Sequence, residues 1–163
     1  MRYEKLKEIV VASFAQTEKV AEYVAQLLRT GDSVCLDGDL GAGKTTFTKA
    51  LATALGVSAQ DVSSPSFAIM KEYHGKEVVI QHFDLYRLDS PAQLDAIGYL
   101  EMLENDCINV IEWSELFPEY LPHDYIGVDI KYINDTTRMF RIFGVGAYAD
   151  IVEEGLEHVD FGN

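Results

Sequence analysis

Gly38-Asp39-Leu40-Gly41-Ala42-Gly43-Lys44-Thr45 satisfies the pattern G-x-x-x-x-G-K-[ST] without a gap, and nothing else in the 163 residues limits the fold so sharply. The outer glycines let the main chain turn its N–H groups toward an anion. Lys44 then neutralises charge on β- and γ-phosphates, and the Thr45 hydroxyl is placed to ligate Mg²⁺. The positive end of a following helix adds to the same field. Four fixed positions would coincide by accident in roughly half a percent of chains this long. The flanks agree with the motif: Ser33-Val34-Cys35-Leu36-Asp37 reads as a short buried strand and Phe47 to Ala52 as a helix. The pattern predicts a nucleotide-binding protein.

The rest of the chain divides into alternating strand and helix signals. Glu8 to Val11 reads as a strand, and Thr17 to Arg29 as an amphipathic helix with Val20, Val24, Leu27 and Leu28 on one face. Phe67 to Tyr73 and Val78 to Phe83 form a hairpin around His74-Gly75-Lys76, and Gly127 to Ile133 pairs with Arg138 to Val145 across Asn134-Asp135. Ser90-Pro91 opens a helix with Gln93 at the reciprocal capping position, and Ile108 to Ile111 is another buried strand. A strand, helix and strand around the phosphate loop require a parallel core, and the hairpins add antiparallel pairs. The expected fold is therefore α/β, a P-loop NTPase-like mixed sheet flanked by helices. Hydrophobic residues at 48% of the chain suffice for one domain spanning 1–163.

Charge narrows the function. Thirteen basic against 27 acidic residues give a net charge of −14, which repels a polyanion over most of the surface. Basic residues expected near the site are Lys44, Lys49, Lys71 and Arg87, enough for one nucleotide and too few for an extended phosphate backbone. Cys35 and Cys107 lie in apolar runs outside any C-x-x-C pair, so they read as buried free thiols. No apolar signal core or run of about 18 apolar residues is present, which predicts a cytoplasmic protein away from membranes. The acidic segment of about 150–163 has Val152, Leu156 and Val159 at helical spacing. It reads as a solvated helix covering its own sheet, or alternatively as a partner helix.

A phosphate loop needs an acid at a second strand tip to hold Mg²⁺ directly or through water, and there are two candidates, Asp84 and Glu112. Residue types alone do not assign one to metal and the other to the attacking water. Arg87 is a candidate internal arginine finger, with a surface ion pair as its ordinary alternative. His82 shares a strand face with Asp84 and reads equally as a hydrogen-bonded core histidine. Trp113 is a core residue or a platform for a ring. Hydroxyls of Ser64 and Ser66 are candidate γ-phosphate contacts in a loop whose composition also fits a plain turn.

Four segments together, Gly38 to Thr46, Ser64-Pro65-Ser66-Phe67, His82-Phe83-Asp84-Leu85-Tyr86-Arg87 and Ile111-Glu112-Trp113, closely resemble the TsaE (YjeE) family of small bacterial ATPases in order and spacing. The resemblance spans about Ser13 to Trp113. It implies ATP and Mg²⁺ as ligands and work with a TsaB–TsaD complex in making threonylcarbamoyladenosine beside the anticodon of tRNA, with tRNA contacted only through that complex. It further implies that Asp39, Leu40, Gly41, Ala42, Gly43, Lys44, Thr45 and Thr46 hold the nucleotide, with Thr17 near the base and Ser66 and Trp113 at its edge. Thr45 and Glu112 become metal ligands, and Asp84 is needed for turnover; Lys44 and Arg87 join Asp84 as catalytic candidates on their own chemistry rather than on the resemblance. Ser66 stands where the family usually has threonine, and Pro91-Ala92-Gln93-Leu94-Asp95 is less acidic than the family's segment. The main alternative is a small-molecule kinase on the same loop. Such an enzyme wants a lid bearing basic residues, yet beyond Arg87 only Lys131, Arg138 and Arg141 occur, all in one hairpin. A GTP switch would need an Asn-Lys-x-Asp-like guanine reader, which the sequence lacks.

Overall fold

The computed structural model describes residues 6–63, 65 and 69–157. In chain order the elements are β1 (Lys7–Val11), α1 (Phe14–Leu27), β2 (Ser33–Gly38), α2 (Lys44–Ala54), β3 (Met70–His74), β4 (Val79–Asp84), α3 (Pro91–Ile97), α4 (Tyr99–Met102), β5 (Ile108–Glu112), β6 (Tyr125–Asn134), β7 (Thr137–Val145) and α5 (Tyr148–Glu157). The strands form one seven-stranded sheet in the order β1-β7-β6-β2-β5-β4-β3. Strand β2, which feeds the phosphate loop, is central and parallel to both β5 and β6, and β4 is parallel to β5. The outer pairs β1–β7, β6–β7 and β3–β4 are antiparallel. This is the mixed sheet that the strand signals imply, with both expected hairpins present, although Phe67 and Ala68 at the start of the first lie outside the described residues.

Alternation along β2 explains why the run from Ser33 to Asp37 is apolar without a polar face. Val34 and Leu36 join the core under α1 and α2, whereas Cys35 joins Phe83, Tyr99 and Ile111 on the opposite face. A central strand covered on both sides has no solvated side to mark with polar residues. Cys35 and Cys107 are buried free thiols. Helix α5 lies on the sheet through Tyr148 and Val152, with the Tyr23 hydroxyl donating to the Val152 carbonyl at 3.3 Å. The helix runs to Glu157, while the side chain of Leu156, together with Val159 and the rest of the acidic segment, lies outside the described residues.

Two helices start earlier than their apolar periodicity implies. Helix α1 begins at Phe14 rather than Thr17 because Ser13 caps it: the Gln16 N–H donates to Ser13 Oγ at 3.2 Å, and Gln16 Oε1 accepts from the Ala12 N–H at 2.7 Å. Helix α2 begins at Lys44 rather than Phe47, so the end of the phosphate loop is itself the first helical turn. The capping box expected at Ser90 is present, and Gly98 at φ +73° ends α3.

Candidate nucleotide site

The loop leaves β2 at Gly38, where a Cβ would lie 2.5 Å from the Ile130 carbonyl oxygen of the neighbouring strand, so only glycine fits. Gly43, at φ +107°, turns the chain into α2, and the Phe47 N–H to Gly43 carbonyl bond of 2.9 Å opens the helix. Asp39, Leu40 and Gly41 are exposed, Ala42 is buried beneath them, and Thr45 and Thr46 face solvent from the first turn of α2. Lys44 is only 6% exposed. Its ammonium folds back over the loop, donating to the Gly38 and Asp39 carbonyls at 2.5 and 2.9 Å, and lies 4.3 Å from the Trp113 ring centre. Burial holds this amine below the usual lysine range, while Glu112, Asp84, Asp37 and Asp39 pull it back up.

Register delivers the acids. Parallel pairing sets Asp84 on β4 beside Glu112 on β5, and Glu112 in turn beside Leu36 on β2. Both carboxylates therefore stand at adjacent strand tips next to the loop. Asp84 Oδ1 accepts from the Tyr86 N–H at 3.1 Å. Burial raises its carboxyl above the usual aspartate range, with Glu112 adding to the rise and the Tyr86 N–H, His82 and Lys44 opposing it. Glu112 is 3% exposed and its Oε2 is held by a short hydrogen bond from Nε2 of the fully buried His82. Trp113 adopts φ +59°, a left-handed conformation uncommon for a large side chain, and packs on Tyr86 with ring centres 4.8 Å apart. Asp37 accepts from Ser114 Oγ at 2.7 Å and from the Glu115 N–H at 3.3 Å, which fixes the chain just beyond Trp113 against β2.

On the other side of the loop is a cavity of about 190 Å³, bounded by Phe14 and Thr17 of α1, Gly43 and Thr46 of the loop, and Arg138 and Phe140 of β7. Arg138 Nε donates to the Ala42 carbonyl at 2.9 Å and Nη1 to the Asn134 carbonyl at 2.6 Å, tying the β6–β7 hairpin tip to the phosphate loop.

The family model for "Threonylcarbamoyl adenosine biosynthesis protein TsaE" matches residues 11–140. The chain belongs to the TsaE family. It is 35% identical to the tRNA threonylcarbamoyladenosine biosynthesis protein TsaE of Bacillus subtilis over 91% of this chain and 92% of that protein. Against the TsaE protein of Aquifex aeolicus it is 39% identical over 86% of this chain and 98% of the other. The crystal structure of Bacillus subtilis YdiB superposes with a TM-score of 0.74 at 31% identity, covering 94% of this chain and 96% of that one.

In this TsaE chain the structure gathers the loop residues 39–46, Asp84, Glu112 and Trp113 at one end of the sheet, with Thr17 at the neighbouring cavity. Arg87 is exposed in the turn that follows Asp84. Ser64 and Ser66 lie outside the described residues. Arg138 is a neighbour of the loop that the sequence assigns only to a hairpin, whereas the expected Lys71 bonds Ser63 instead. No local pattern marks it, because the β6–β2 pairing brings its hairpin alongside. The Asp37–Ser114 bond also went unseen, although an acid directly before the first glycine was the available signal.

Proposed function

We propose that this TsaE protein binds ATP with Mg²⁺, hydrolyses it slowly when alone, and serves in the cytoplasm as an accessory to a TsaB–TsaD complex that makes threonylcarbamoyladenosine in tRNA. One observation carries the reading: Asp84 and Glu112 stand side by side at strand tips beside an ungapped phosphate loop whose lysine feels both carboxylates. The residues suit the ligands. Main-chain N–H groups around Gly43 and the start of α2 would cradle phosphates, and Lys44 would exchange its carbonyl partners for the β- and γ-oxygens. Thr45 and Glu112 offer two protein oxygens, a set that fits Mg²⁺ completed by phosphate and water. When bound, Mg²⁺ neutralises charge that builds on the transferring phosphoryl group. Asp84, half-buried, would orient the attacking water. Trp113 and Tyr86 wall the site, and Thr17 faces the cavity suited to the base. Arg87, next in the turn, would reach toward the γ-phosphate as an internal arginine finger.

The net charge of −14, which repels a polyanion over most of the surface, supports an indirect relation to tRNA. The test separates the acids. Glu112→Gln is expected to weaken the Mg²⁺ dependence of ATP binding, whereas Asp84→Asn binds Mg·ATP and fails to turn it over. An exchange of these phenotypes would reverse the roles. An ATPase rate indifferent to the partner complex, with phosphate passed to a small acceptor, would favour the kinase alternative.

A further inference from the structure

Behind the strand tips runs a buried polar chain that nucleotide binding alone does not require. His82, on β4 and without solvent exposure, places Nε2 on Glu112 Oε2 and Nδ1 2.9 Å from the Tyr73 hydroxyl on β3. That hydroxyl lies 2.5 Å from the Ser63 carbonyl oxygen and 3.3 Å from the Ser63 amide nitrogen. The hydroxyl donates to that carbonyl and its oxygen accepts from the Ser63 N–H, with His82 Nδ1 at hydrogen-bond distance on the other side. His82 thus bridges the Glu112 carboxylate and the Tyr73 hydroxyl through its two ring nitrogens, and Ser63 is gripped at both its backbone groups. Lys71 Nζ adds a third hold by donating to Ser63 Oγ.

We propose that His82 is a positioning residue: through Nε2 it fixes the Glu112 carboxylate, and through Nδ1 and Tyr73 it ties that carboxylate to the backbone of Ser63, so that metal at Glu112 is felt at Ser63. The inference rests on Glu112 being a metal ligand. A buried glutamate has several rotamers and few restraints of its own, whereas a ring held at both nitrogens and covered on all sides has one. Tension or relief at Glu112 then reaches Ser63 through rigid links, none longer than an ordinary hydrogen bond. Asp84 has a parallel tie, its N–H donating to the Ile69 carbonyl at 2.8 Å.

Side-chain isosteres separate the two ends of the ring. In His82→Asn the amide can reach Tyr73 but not Glu112, and in His82→Gln it can reach Glu112 but not Tyr73. Calorimetry of Mg²⁺ binding to the ATP complex, with ATP binding in a chelator as control, is combined with hydrogen exchange at the Ser63 amide. His82→Asn is expected to weaken Mg²⁺ binding about tenfold or more, the usual effect of removing a partner behind a metal ligand. Metal-free ATP binding should stay within about threefold. His82→Gln and Tyr73→Phe should hold Mg²⁺ within about threefold yet abolish the change in Ser63 exchange that Mg²⁺ produces in the unaltered protein. Equal Mg²⁺ affinity in His82→Asn, or Ser63 exchange that ignores Mg²⁺ in the unaltered protein, overturns the proposal. If Glu112→Gln also leaves Mg²⁺ binding untouched, the metal reading falls with it; if Glu112→Gln weakens Mg²⁺ and His82→Asn does not, only the relay falls. Should the His82 variants fail to fold, Tyr73→Phe decides the matter through the Ser63 readout.

Discussion

Replacing Lys44 by alanine separates binding from folding, because the two draw on different contacts of the same ammonium. In the free protein Nζ donates to the Gly38 and Asp39 carbonyls, bonds worth about 1.5–3 kcal/mol each for a charged donor. To meet phosphate it must leave both. A unit charge pair at about 4 Å gains about 4 kcal/mol at an effective dielectric of about 20, and the β- and γ-oxygens present roughly two such charges. The balance is about 2–5 kcal/mol in favour of bound nucleotide, so Lys44→Ala should lower ATP affinity about thirtyfold or more, with tenfold as the floor. Folding should change little. The freed carbonyls sit on a loop that water can reach, and relief from burying an ammonium offsets the lost bonds, leaving the unfolding free energy within about 1.5 kcal/mol. Calorimetric titration with ATP and urea denaturation of the free protein measure the two terms. Unchanged ATP affinity in a folded Lys44→Ala protein refutes the reasoning, and so does a loss of affinity explained by a loss of fold.

Arg138→Ala, which cuts the tie between the hairpin tip and the Ala42 carbonyl, should weaken ATP binding by about 1 kcal/mol with a thermal midpoint lower by a few degrees. Gly127→Ala drives a Cβ to 2.1 Å from the Phe143 ring and should cost about 1–3 kcal/mol in urea unfolding without touching nucleotide affinity in the folded fraction. Burial pushes the Tyr23 hydroxyl up to about 12 and also raises Tyr99 and Tyr148, so their contribution is fully present below about pH 10 and is lost as pH rises through the folded values. Stability should accordingly fall above about pH 10, with the share of tyrosinate absorbance that belongs to these three buried rings appearing together with unfolding rather than before it. Removing Mg²⁺ with a chelator should weaken ATP binding at least about tenfold, and calorimetry at matched ionic strength checks it.

Elements whose cause is local were legible in the sequence. The phosphate loop, the capping box at Ser90 and Gln93, the apolar runs of β2 and β5 and the turn at Asn134-Asp135 each carry their signal within a few residues. The same capping chemistry at Ser13 and Gln16 starts α1 one turn ahead of its apolar periodicity, so the periodic signal alone sets the helix start late. Strand order escaped, since parallel neighbours are chosen by packing between segments far apart in sequence. Asp84 and Glu112 were recognisable as strand-tip acids, but their adjacency depends on β4 and β5 sharing a register. His82 illustrates the limit well. Its face could be read from its spacing to Asp84, whereas Tyr73 and Ser63 reach it through the β3–β4 pairing.

Charge connects the site to the remainder of the molecule. Asp37, Asp39, Asp84 and Glu112 all act on Lys44, so the immediate surroundings are more negative than positive before a nucleotide arrives. The surface at −14 extends that repulsion outward, though salt confines it to about 8 Å under physiological conditions. Attraction of phosphate must therefore come from groups acting at contact distance: the N–H groups that Gly43 turns inward, the first turn of α2, and Lys44. Groups of that range suffice for one nucleotide escorted by a divalent cation. Under the proposed function they are too few for a tRNA, whose phosphates lie along an extended backbone. Under the proposed function the charge of the chain calls for a partner, because the surface that brings the RNA would then belong to another protein.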